Sequence, residues 1–178
     1  MLELKRELSR LSFEHWLNYE FLTWRWCLKL LIISASITIF IKYLDRKRAL
    51  ETVAYGLLVC LISLTFDDIG TAYALWEYPV RIVPFQFSTT HDFVVIPITY
   101  LLVYQRFEKW KQFLIANAII AIIASLVMEP VFVALNYYIP LTWKHIYSLP
   151  IFFVIAIFSK LVIGKLKSTY KQGIPPYK

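Results

Sequence analysis

The sequence predicts an all-α membrane protein: a bundle of about five transmembrane helices preceded by an amphipathic interfacial helix. Three observations predict it. Apolar runs of membrane-crossing length recur along the chain, bounded by aromatic or basic residues. Apolar residues make up 59% of the 178 residues, against about 45–50% in a soluble domain, and mean hydropathy is +0.59. Lys and Arg, which set the net charge at +7, fall between the apolar runs and near the C-terminus, as positive-inside topology and anionic headgroups require. That spread argues against nucleic acid, whose binders gather their bases into one patch or stripe.

Residues 1–24 read as an amphipathic helix. Leu4, Leu8 and Leu11 recur at helical spacing, with Glu3, Lys5, Arg6, Glu7 and Arg10 off that stripe. Such a segment lies in the membrane interface or packs on the bundle or a partner. It lacks the basic-then-apolar layout of a cleaved signal peptide, so it is expected to be retained.

A bilayer crossing needs about 20 residues. The first span is read at 26–44, with Trp24 and Trp26 at one interface and Tyr43, Arg46, Lys47 and Arg48 at the other. Lys29 and Lys42 sit near its ends, where long stems snorkel. The second span, 52–72, meets Asp67 and Asp68 near its far end. The connector from Ile69 to Thr90 is expected to carry a helical extension that Pro79 ends near Tyr78. The third span, 88–105, contains His91, Asp92 and a kinking Pro97. The fourth, 113–138, is interrupted at Glu129-Pro130, and the fifth is 147–164.

The 45–51 loop, the 106–111 loop and the C-terminal tail are rich in Lys and Arg, and five-span parity puts all three on one side. The positive-inside rule then predicts a cell-membrane protein with its N-terminus outside and its C-terminus cytoplasmic. The organisation read from this is an interfacial helix (1–24), a five-helix membrane domain (25–165) and a basic flexible cytoplasmic tail (166–178).

Depth sorts the polar residues. Asp67 and Asp68 lie roughly 23 Å from the cytoplasmic face, and Glu129 roughly 24 Å, at 1.5 Å per residue. His91 and Asp92 open the third span from outside. These five groups are the candidate binding cluster, with Trp76, Glu77, Tyr78, Arg81, Trp143 and His145 as its rim. Ionised groups in lipid normally face the bundle interior and find partners. One reading is a hydrogen-bonded cluster tying spans two, three and four together, with Arg81 or His91 as partner. A second is a site for a cation, a proton or a polar headgroup, and a third is simple exposure at a headgroup boundary.

Recognised catalytic motifs are missing: no serine stands in a GxSxG context, and no P-loop, GxGxxG or HExxH occurs. His91-Asp92 alone assigns no metal, and no cofactor is implied. Ser34, Ser36, Thr38, Ser63, Thr65, Asn117 and Ser125 are expected to pack or hydrogen-bond between helices. Cys27 and Cys60 belong to no CxxC pattern, lie at different depths, and are expected to be free thiols.

The order of features carries a resemblance. Asp45-Arg46-Lys47-Arg48 precedes Glu51; Asp67-Asp68 precede Leu75-Trp76-Glu77-Tyr78-Pro79 and Pro84; His91-Asp92 leads to Pro97, Tyr100 and Tyr104-Gln105; then come Trp110, Glu129-Pro130, Tyr137 and Trp143. From about residue 24 to 165 the chain resembles a family of small uncharacterised multi-pass membrane proteins of Bacillus-like and Clostridium-like spore formers. The resemblance implies membrane topology and no mechanism. A fainter similarity is to small membrane carotenoid (lycopene) cyclases, which also have an Asp near a helix end, then a Trp, then a Pro followed by paired acids. Here Phe85-Gln86-Phe87 follow Pro84, and the acid that such catalysis requires is missing.

The expected function is therefore a non-catalytic binding or partner subunit with a polar cluster for an ion, proton or polar headgroup. The alternative is a membrane enzyme acting on a lipid or isoprenoid through the same acids and histidine. A transporter is less favoured, because five spans show no repeat. Expected partners are the lipid bilayer and a membrane-protein partner or second copy of the chain.

Overall fold

The computed structural model of the chain describes residues 2–84 and 91–173, the side chains of residues 91, 92 and 171–173 apart. It is 81% helical, which settles the class as all-α. Four helices are long and apolar enough to cross a membrane: Trp24–Tyr43, Arg46–Ala72, Trp110–Ala134 and His145–Tyr170. The apolar helix in the third position, Phe93–Arg106, is shorter. Its 14 residues reach about 21 Å, less than the ~30 Å hydrocarbon core.

The N-terminal helix α1 is Leu2–His15, followed by a π-helical turn at Trp16–Glu20. The single helix expected over 1–24 is thus broken. Leu22 takes a left-handed φ of 55°, and the Thr23 hydroxyl caps the next helix by accepting from Trp26 N. No residue of α1 is buried.

Helix α2, Trp24–Tyr43, is exposed along most of its length, and its buried residue is Lys29. Helix α3, Ala49–Ala72, buries Thr52, Tyr55, Gly56, Val59, Ser63, Asp67 and Gly70. The three- and four-residue steps put all seven on one face. At Gly56 that face meets the next helix so closely that an added Cβ would stand 2.8 Å from Leu101 Cδ2.

The expected helical extension to Tyr78 does not form. Helix α3 ends at Ala72, Ala74 turns left-handed (φ 51°), and the chain doubles back. Trp76 then lies over Gly70, where a Cβ would stand 1.9 Å from the indole ring. The two-residue strand β1, Trp76–Glu77, pairs antiparallel with β2, Ile139–Pro140. Leu75 O accepts from the backbone N–H groups of Leu141, Thr142 and Trp143. The connectors before the third position and after the fourth span are therefore one folded unit, here called the connector end.

Helix α4, Ile96–Arg106, follows a π-helical turn at His91–Val95 and carries Pro97 in its first turn, where a missing N–H costs little. The fourth span comprises α5 (Trp110–Ile123), a π-helical turn (Ala124–Met128) and α6 (Glu129–Ala134). The turn accommodates Pro130: Glu129 N bonds Ala124 O, five residues back. The span ends at Ala134 instead of 138, because Asn136 adopts φ 59° and Tyr137 N returns to Phe132 O. Helix α7, His145–Gly173, continues through the segment read as a flexible tail, as far as Gly173.

The core sits toward the opposite, basic-loop end. Tyr55 stacks on Tyr104 with centroids 4.2 Å apart, and both meet Phe113 edge-on. Tyr55 OH donates to Ala156 O and Tyr100 OH to Phe152 O, fastening α3 and α4 to α7. The small polar residues divide: Ser63, Asn117 and Ser125 are buried in the bundle, and the others serve their own helices. Ser34, Ser36, Thr38 and Thr65 donate to carbonyls four residues back in their own helices, a local satisfaction open to hydroxyls in apolar surroundings. Asn117 does the same to Phe113 O. Ser125 does bond across helices, to His145 O. Both cysteines are free.

Candidate functional site

Asp67 belongs to the buried stripe of α3 and is only 4% exposed. Its Oδ1 accepts from Trp76 Nε1 at 2.9 Å and from Tyr78 OH at 2.6 Å. Both donors come from the doubled-back connector, so the close approach at Gly70 is what brings an indole N–H to this carboxylate.

Glu129 stands where the π-helical turn re-enters α-helix. Its Oε2 is 2.7 Å from His145 Nδ1, and its side chain is 13% exposed. The bond places one proton between imidazole and carboxyl. The histidine is itself fixed, because Ser125 donates to its backbone carbonyl. Trp143 Nε1 donates to Ser148 Oγ at 2.9 Å beside this pair.

Asp67 and Glu129 line one cavity of about 520 Å³, within the range of about 300–1,000 Å³ for small-molecule sites. Trp76, Tyr78, Tyr138 and Trp143 line its connector end. The remaining walls are mostly apolar and include Phe66 of α3, Ile96 of α4, Ile123 of α5, Phe132 of α6 and Ile151 and Phe152 of α7. Lys29 of α2 also lines it, donating to Val80 O at 2.6 Å with Nζ 5.8 Å from the Tyr137 ring centroid. Burial pushes the Tyr138 hydroxyl up, and the nearby Glu129 and Asp67 carboxylates add to the shift.

The other expected members fall elsewhere. Asp68, adjacent to Asp67, points off the stripe, is exposed and does not line the cavity. The side chains of His91 and Asp92 lie outside the described residues. Of the rim, Trp76, Tyr78 and Trp143 line the cavity, Glu77 is exposed, and His145 braces Glu129 from behind. Among the described residues no three His, Cys, Asp or Glu side chains form a metal-binding group.

Arg81 is not the partner of these acids. Its guanidinium grips Glu20 through Nε at 3.1 Å and Nη2 at 2.6 Å, and its backbone N donates to the same carboxylate at 2.6 Å. Glu20 is 3% exposed. Ser12 and Trp16 bond to the same stretch, to Pro84 O and Arg81 O, and Trp26 Nε1 donates to Ile82 O. The N-terminal segment therefore straps the connector that roofs the cavity. Charge counting balances Glu20 against nearby bases and hides this role. The available signal was a lone acid set among Trp16, Tyr19, Phe21 and Trp24, where burial demands a cation.

No family model, curated protein or solved structure matches the chain.

Proposed function

We propose that this chain is a cell-membrane binding protein whose cavity takes the polar end of an amphiphile, with Asp67 and Glu129 reading the headgroup. One observation supports this above the rest: two carboxylates from different helices face the same, largely apolar, cavity. Apolar walls suit a lipid or isoprenoid chain, while acids at one end select a head that donates hydrogen bonds, a hydroxyl or an ammonium. In this reading the N-terminus lies outside and the C-terminus in the cytoplasm, so the cavity opens toward the outer leaflet. The exposed flank of α2 is where a membrane-protein partner or second copy would pack.

The test is extraction of amphiphiles from protein purified in mild detergent, followed by mass spectrometry. The wild-type protein should carry a defined hydroxyl- or amine-bearing amphiphile, and Glu129→Gln and Asp67→Asn should lose most of it. An empty wild-type protein, or equal retention by both variants, would refute the reading and leave a structural cluster.

A second reading, an enzyme acting on the same amphiphile, is favoured by the Glu129–His145 contact, since a paired carboxyl and imidazole can pass a proton to a bound head. Chemically altered amphiphile, present with wild type and absent with His145→Gln, would select it.

A further inference from the structure

At the basic-loop end, a second cavity of about 370 Å³ opens among the start of α3, the end of α4 and the later half of α7. It is lined by Arg48, Glu51, Tyr104, Glu108, Lys160 and Lys167. We propose that this cavity binds a phosphate-bearing anion through Arg48, Lys160 and Lys167, the headgroup of an acidic phospholipid being the source that its place at the end of the bundle favours. The proposal is independent of the amphiphile reading, since the sites share no residue.

Three cations from one helix, α7, and the turn before α3 converge here, and one of them is fixed in advance. Lys160 is 9% exposed. Its Nζ donates to Phe107 O at 3.2 Å and Glu108 O at 3.1 Å, the carbonyls just past the end of α4. It stands 3.9 Å from the Phe113 ring centroid and 5.0 Å from that of Trp110. An ammonium has three protons, so one donor remains after the two carbonyls. Aromatic faces hold the cation without neutralising it.

The carboxylates do not cancel this charge. Glu51 is met within the wall by Arg48 at 3.2 Å, Lys167 at 2.6 Å and Tyr104 OH at 2.7 Å. Glu108 holds Arg48 from the water side, with its side chain 72% exposed. An exposed pair of that kind contributes about 0–1 kcal/mol. A phosphate can therefore take its place on Arg48 Nη1, while Nη2 stays on Glu51, and release Glu108 to solvent. Arg46, Lys47, Arg106, Lys109, Lys111 and Lys165 crowd the same end in sequence. They draw it to an anionic leaflet, and basic pockets between helix ends are where acidic headgroups seat.

The experiment uses the full chain in phosphatidylcholine nanodiscs with and without phosphatidylglycerol. Phosphatidylglycerol should raise the melting temperature by about 5 °C at saturation, and native mass spectrometry of wild type should show it retained over phosphatidylcholine. Lys167→Gln should lose most of the rise, whereas Lys109→Gln/Lys111→Gln, which removes charge beside the cavity, should keep it. A rise with inorganic phosphate alone in neutral nanodiscs, lost in Lys167→Gln, would support the site and make free phosphate its ligand. No rise with either anion and no selective retention by wild type would overturn the proposal. So would equal loss in the Lys109→Gln/Lys111→Gln variant, which would reduce the effect to surface charge.

Discussion

Around Tyr55 the bundle is filled, and around Asp67, about three turns further along the same face of α3, it is hollow. At the first level Tyr104, Phe113 and Ala156 close on α3, and the Tyr55 and Tyr100 hydroxyls end on backbone carbonyls. At the second, polar groups are again paired, but the pairing is made by connectors folded down from the helix ends, and a cavity remains beneath them. Small residues decide which happens. Gly56 lets α4 approach α3 directly, whereas Gly70 admits a tryptophan from the connector instead of a helix. A helix pair that closes excludes ligand, and one held apart by a folded loop leaves room for it.

The largest effect should come from opening the filled half. Phe113→Ala should cost about 3–5 kcal/mol, the usual range for a buried aromatic, read as a fall in melting temperature in detergent. Cutting the strap of the hollow half comes next. Arg81→Ala should cost about 3 kcal/mol, because it leaves Glu20 buried without its cation. Glu20→Ala/Arg81→Ala should recover part of that loss, and a double variant as unstable as the sum of the two single changes would show that the pair is not coupled.

Gly70→Ala should cost about 1–3 kcal/mol by overpacking against Trp76. It should also expose that indole, seen as a red shift in tryptophan emission. Gly56→Ala, whose methyl would stand 2.8 Å from Leu101 Cδ2 and 3.3 Å from its Cβ, should cost less than the 1.9 Å approach at Gly70; the reverse order would refute the loop-propped account. Ile123→Ala on the cavity wall should cost roughly 1 kcal/mol or less, since part of its surface already lies against empty space. A cost equal to that of Phe113→Ala would mean that the hollow half is as packed as the filled one. The smallest effect on stability belongs to single cysteines introduced at positions 48, 109, 82 and 142. With both native cysteines replaced, reagent from the cytoplasmic side should reach the first two and reagent from outside the last two. Labelling of position 109 from outside would invert the two ends.

Membrane character, the all-α class and the position of each apolar helix, the start of the third and the end of the last apart, were legible in the sequence, because lipid demands about 20 apolar residues per crossing and Lys, Arg and Trp mark the ends. Depth counting also brought Asp67 and Glu129 to one level, since rise per residue is constant in a helix. Depth carries no information about azimuth, which is why Asp68, one residue away, turned out to face outward.

The rest belonged to tertiary structure. The reversal at Ala74, the β1–β2 pair and the Glu20–Arg81 strap join residues 61 or more positions apart or depend on left-handed turns at non-glycine residues, and no local pattern encodes either. The ion cluster at the basic-loop end is of the same kind: Arg48, Glu51, Glu108 and Lys167 read singly as ordinary interfacial charges, and only the packing of α3, α4 and α7 makes them one cavity. Periodicity and hydropathy determine which segments enter the membrane and how deep each residue sits. Which side chains then meet is decided by helix rotation and loop folding, both set by long-range contacts that a one-dimensional pattern does not contain.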